Sequence, residues 1–172
     1  SNPDGILSAA AVDSIDRMLY SLREDRTAEV AVVAVGSIGS EEVFEFSHSL
    51  FQKWGIGEKD RNNGLLMILV LDQREIRFIT GYGVEGILPD ALCRRIQAQY
   101  MLPSFRQEDW DSGMVAGVTA VCEVLRGSEL YLGAADDDDF TLTDAIGIFT
   151  SMGGFWLLMF VVIWLSQPKC KN

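Results

Sequence analysis

The chain has 172 residues, a size that suits one ordinary domain with room for a true core. It carries 25 acidic against 14 basic side chains, a net charge of −11. That balance argues against a surface that grips nucleic acid or anionic lipid, and is compatible with cations or with plain solubility.

The predicted elements follow in chain order. Ser8 is placed to cap a helix over AAAVDSIDRMLYSLRED, in which Val12, Ile15, Met18, Leu19 and Leu22 recur at helical spacing. AEVAVVAVGSI, residues 28–38, reads as a buried strand because it is short and rich in valine. EEVFEFSHSLFQKW, 41–54, is helical again, with Val43, Ser47, Leu50, Phe51 and Trp54 on one face and the lone His48 one step off it as a surface group. LLMILVL (65–71) and EIRFIT (75–80) are strands joined by Asp72, Gln73 and Arg74, a connection short enough to require an antiparallel hairpin. A helix carrying ALCRRIQAQYM is expected to start at Asp90, with the Asp90 carboxylate as its cap. LPSFRQE follows as a connector, and a last helix runs from Asp109 to Arg126.

The order α-β-α-β-β-α-α, with a hydrophobic first strand that needs cover on both faces, predicts a small three-layer α/β/α sandwich over residues 1–127. Residues 128–144 are expected to be an acidic linker whose DDDD run is solvated spacing. Residues 145–165, AIGIFTSMGGFWLLMFVVIWL, are 21 residues without a charge, the length of a transmembrane helix across a hydrocarbon layer of about 30 Å. Lys169 and Lys171 follow it, so the tail 166–172 is expected to be cytoplasmic and the domain extracytoplasmic. All 25 acidic residues and 12 of the basic ones then fall on the outer side. The start, SNPDGILS, lacks Met and is read as following a removed export signal.

Cys93, Cys122 and Cys170 include no C-x-x-C pair. Cys93 and Cys122 are either a disulfide or, the preferred reading, two small apolar core residues. Cys170 sits just past the expected span, where nothing in the sequence supports lipidation.

Residues 81–91, GYGVEGILPDA, satisfy G-x-G-x-x-G, yet a dinucleotide loop is excluded. The preceding strand is the second arm of a hairpin, ILP separates the glycines from the next helix, and Glu85 sits where a pyrophosphate needs positive potential. An acidic extracytoplasmic domain is also a poor setting for a nicotinamide cofactor. The glycines are instead expected to supply a left-handed backbone path. The loop 55–64, GIGEKDRNNG, enters the hairpin at the edge where GYGVEG leaves it. Asp60, Asn62, Asn63, Glu85 and Asp90 are therefore candidates to converge as an oxygen-rich site for Ca²⁺, with Mg²⁺ the alternative. A turn at Asn-Asn-Gly and a helix cap at Asp90 account for the same residues equally well.

FQKWGIGEKDRNNGLLMILVLDQREIRFITGYGVEGILPDA resembles the core signature of the TPM domain. That family is named for a thylakoid lumen protein, a photosystem II repair factor and a levamisole receptor modulator, and includes bacterial YgcG-like membrane proteins. The likeness runs from NPDGILS through AEVAVVAV to FRQEDWDSGMVAGV, roughly residues 3–126. It implies an α/β/α sandwich and one of three roles: acid phosphatase, calcium-binding domain, or accessory factor in assembly or repair of membrane protein complexes. The expected role is a membrane-anchored accessory module that binds a membrane protein complex. The alternative is a metal-assisted phosphatase using Asp60 and Asp90, with Arg61 near the phosphate. No C-x₅-R occurs, and the D-x-D at 109–111 opens a helix, where its side chains diverge.

Overall fold

A strand that is apolar at every position needs cover on both faces, and GLLMILV is such a strand. In the computed structural model, which describes residues 1–128, β2 (Gly64–Val70) is buried at all seven positions. It is the middle strand of a three-stranded sheet. β1 (Glu29–Val35) runs parallel to it, with Val32 opposite Met67. β3 (Glu75–Thr80) runs antiparallel, with Phe78 opposite Met67, as the short connection requires.

The pleat sends alternate β2 side chains to opposite faces, so one strand feeds two cores. Leu66, Ile68 and Val70 pack with Val33 and Val43 under α2 (Val43–Trp54). Leu65, Met67 and Leu69 join the larger core, covered by α1 (Ala9–Glu24), α4 (Asp90–Ile96) and α6 (Trp110–Leu125). The result is a small α/β domain with helices on both faces of its sheet.

Local chemistry fixes the helix ends. The Ser8 hydroxyl accepts from the Ala11 amide (3.2 Å), while the Ser8 amide donates to Asp111 Oδ1 (2.8 Å), joining the starts of α1 and α6. Asp109 caps α6 by accepting from the Ser112 amide at 3.0 Å. That bond holds the Asp109 carboxyl below the usual carboxylate range. Arg126 closes the other end, donating to the Ser21 hydroxyl at 2.9 Å.

Several sequence expectations need correction. β1 stops at Val35 and α2 starts at Val43. Trp54, expected on the buried face of α2, is 48% exposed; it is the last helical residue, and Gly55 turns the chain away in the left-handed region. Asp90 is the first residue inside α4 rather than its cap, and Pro89 holds the cap position without a side-chain bond. The stretch expected as one helix and a connector is α4, a π-helical turn (Gln97–Met101) and α5 (Leu102–Phe105) in succession. Cys93 and Cys122 are free and buried.

Among the described residues no helix is long and apolar enough to cross a membrane. The expected span 145–165, the linker from residue 129 and the tail 166–172 lie outside the described residues.

The α5 turn presses into α6 where α6 is smallest. A Cβ at Gly113 would stand 2.4 Å from the Phe105 ring, and one at Gly117 2.6 Å from the Met101 side chain. Helix propensity alone favours Gly113→Ala by about 1 kcal/mol. The contact reverses that sign, so urea unfolding of Gly113→Ala is expected to show a net loss of roughly 1–3 kcal/mol.

Candidate functional site

The loop 55–64 and the segment after β3 meet as the hairpin demands. Gly81 donates its amide to the Gly64 carbonyl (2.8 Å), and Gly83 donates to the Asn62 carbonyl (3.0 Å). There is no space between these backbones for a side chain. A Cβ at Gly81 would lie 2.3 Å from the Asn62 oxygen, and one at Gly83 2.0 Å from the Arg61 oxygen. This corrects the expected reason for the glycines: none of Gly81, Gly83 and Gly86 has a positive φ. Close approach selects the first two, and only backbone hydrogen there permits it. A short helix, α3 (Tyr82–Glu85), opens directly after Gly81, although the sequence reading places no helix on the motif.

The 55–64 loop is held from within as well. Asn63, only 6% exposed, accepts the Glu58 amide on Oδ1 (2.9 Å) and the Glu29 amide on its carbonyl (3.0 Å). The Glu29 carboxylate accepts from the Gly57 amide at 3.0 Å. Arg61 reaches the Arg26 carbonyl at 2.8 Å. Asn62 turns the chain with φ +49. Each of these is a backbone-locking role.

The five expected ligands therefore separate. Asn63 is committed to the loop's own bonds, while Asp60, Asn62 and Glu85 are exposed on the two strapped loops. Asp90 lines a different cleft, with Arg94 on its own wall and His48 on the facing one. Among the described residues no three His, Cys, Asp or Glu side chains group as a metal site. The carboxylates thus form no ready cage; a cation at this edge would rest on Asp60, Glu85, loop carbonyls and water.

The thiols, the D-x-D carboxylates and the lone histidine are each in structural surroundings, whereas Asp60 and Asp90 are exposed. Burial pushes the Cys93 thiol up to about 12, with Asp90 adding to the rise, and its sulfur donates to the Leu88 carbonyl. Burial also raises the Cys122 thiol. Neither is a thiolate nucleophile at neutral pH. The Asp109 and Asp111 carboxylates both accept backbone amides, and His48 stacks on Phe44 at 6.0 Å.

Sequence reasoning missed two residues. Tyr82 is 84% exposed and Ile87 48% exposed, both within the glycine segment. The sequence showed only an aromatic between two glycines; that both glycines abut backbone on their inner side, which leaves the ring the outside, is seen in the structure.

Together these features define a small α/β domain whose distinctive edge is two loops bonded backbone to backbone. A family profile for the TPM domain (TPM_phosphatase) matches residues 1–124, and the chain belongs to that family. The solution NMR structure of the N-terminal domain of a protein from P. gingivalis is 44% identical, with a TM-score of 0.69; the match covers 73% of this chain and 80% of that one. The BA42 protein of the psychrophilic bacterium Bizionia argentinensis has a TM-score of 0.61 at 16% identity, covering 70% and 82% of the two chains. The N-terminal domain of the cg2496 protein of Corynebacterium glutamicum has a TM-score of 0.56 at 17% identity, covering 78% and 82%. The last two likenesses concern the fold alone. No curated protein matches the chain significantly.

Gly83→Ala forces Arg61 and Asn62 away from the strap. Its expected cost is roughly 1–3 kcal/mol in denaturant unfolding. In hydrogen exchange the residue-83 amide should lose protection, while Met67 and Ile68 keep theirs relative to the variant's global stability.

Proposed function

We propose that the chain is a membrane-anchored accessory module whose extracytoplasmic domain binds a membrane protein complex during assembly or repair. The observation that carries this reading is Tyr82, 84% exposed on a segment pinned by the Gly81 and Gly83 amides. A large amphipathic ring held outward on a rigid loop loses little freedom on binding, the property of interface anchor residues. Ile87 adds apolar surface nearby in sequence, and the exposed Asp60 and Glu85 supply the polar rim. The apolar segment 145–165 supports the anchor.

A photoreactive benzoyl-phenylalanine at position 82, in the full chain in its native membranes, is expected to cross-link an integral membrane protein. The same group at Tyr20, itself 67% exposed on α1, should give no such product. Ile87→Glu should weaken the product at 82. Identical products from both positions would contradict the reading.

Ca²⁺ at the strapped loops is the finer part of this proposal, supported by Asp60 and Glu85 standing on the two joined segments. Titration with Ca²⁺ is expected to give saturable shifts confined to 55–64 and 81–90, weakened by Asp60→Asn. Unchanged shifts and an unchanged melting temperature in EDTA and in excess Ca²⁺ would remove the cation and leave the binding module. The family profile's name favours hydrolysis as the second reading. With Ca²⁺, Mg²⁺ or Mn²⁺ present, p-nitrophenyl phosphate is expected to turn over no faster than with the Asp60→Asn/Asp90→Asn variant. Turnover that disappears in that variant would establish the phosphatase instead.

A further inference from the structure

We propose that the outer edge of β3 is a groove that takes an extended polypeptide segment as a fourth strand, with apolar and acidic side chains in alternation. This deepens the binding-module reading and rests on it. The two edges of the sheet differ. At β1, Ser1 donates its nitrogen to the Val32 carbonyl (2.6 Å) and accepts the Ala34 amide on its own carbonyl (3.0 Å), a parallel bridge beside the strand. At β3, no strand among the described residues pairs with the outer side.

The register identifies the outward-pointing groups. Gly81 donates to Gly64, so Gly64–Gly81 is a hydrogen-bonded pair, and such pairs alternate along an antiparallel ladder. Leu66–Ile79, Ile68–Arg77 and Val70–Glu75 follow as bonded pairs. The amides and carbonyls of Ile76, Phe78 and Thr80 therefore point away from β2. Only a polypeptide in extended form supplies donors and acceptors at matching intervals along such an edge.

Side chains frame that edge on both sides. A cleft of about 310 Å³ runs along β3, with Phe44 and His48 of α2 on one wall and Asp90 and Arg94 of α4, with Gln97 just after it, on the other. The Phe44 wall is aromatic, with the Arg77 guanidinium 5.9 Å from its ring centre. Arg94 is exposed and has no ion pair among the described residues. A strand laid on β3 directs successive side chains alternately to these walls. Apolar residues meet Phe44, and acidic residues on the other face meet Arg94. A second copy of this chain is the competing occupant: its β1 edge already carries the Ser1 bridge, which leaves only β3 itself to pair.

The test uses the full chain in nanodiscs and a fluorescein-labelled, end-blocked hexapeptide of alternating valine and glutamate. Saturable anisotropy is expected, with slowed deuterium uptake over 75–81. Thr80→Pro removes one outward donor and no ladder bond, a change that edge strands tolerate. It should weaken the peptide about fivefold at an unchanged melting temperature. Arg94→Glu should weaken it about three- to fivefold and favour the peptide with lysine in place of glutamate. Absence of saturable binding, or binding indifferent to both substitutions, overturns the proposal. Peptide-free slowing of uptake over 75–81 that grows with protein concentration overturns it in favour of a second copy. Lost peptide binding with cross-linking at position 82 intact would sink the groove alone, whereas the converse would sink the membrane-complex reading alone.

Discussion

The hydrogen bond from the Gly83 amide to the Asn62 carbonyl, made where no Cβ fits, is the constraint on which the candidate surface depends. It follows from the sheet. β2 is buried on both faces and is entered at Gly64, and its hairpin partner β3 ends at Thr80, opposite Leu65. The two flanking segments must therefore share one corner of the domain. With side chains at positions 81 and 83 they would be pushed apart. Without them the backbones bond directly, and Tyr82 is left on the outside.

The sheet and its two cores were legible because their signals are long or doubly determined. Three residues before EIRFIT leave no path except a hairpin. The sequence reading put the two-face cover on the valine-rich first strand, whereas β2 is the strand buried at every position and β1 is an edge strand only partly buried. The glycine segment was harder. Its spacing declared a need for glycine but not which need, since positive φ and close approach leave the same mark in a sequence. The structure decides for close approach at Gly81 and Gly83, while the left-handed turns fall at Gly55, Gly57 and Asn62. The π-helical turn at 97–101 was invisible because its register depends on Met101 and Phe105 meeting the small face of α6. Trp54 misled because helical periodicity does not show where a helix outruns the surface it covers.

The candidate site was legible as a place. The loops 55–64 and 81–90 do adjoin, but proximity of segments does not align side chains. Asn63 turns inward to hold its own loop, and Asp90 enters the cleft beside β3. What remains outward at the corner is Tyr82, Ile87, the acids Asp60 and Glu85 and the cations Lys59 and Arg61. Catalysis of phosphoryl transfer needs convergent positive charge and an activated nucleophile. Here both described thiols are buried with raised pKa values, and Arg61 is tied to a backbone carbonyl.

The rigidity of that corner is the central claim, and native-state hydrogen exchange measures it most directly. The amides of Gly81 and Gly83 should exchange with the same free energy as Met67 and Ile68 in β2, opening only when the whole domain unfolds. Exchange several kcal/mol easier than in β2 would mean that the strap opens locally, and the surface around Tyr82 would then not be held in one arrangement for a partner.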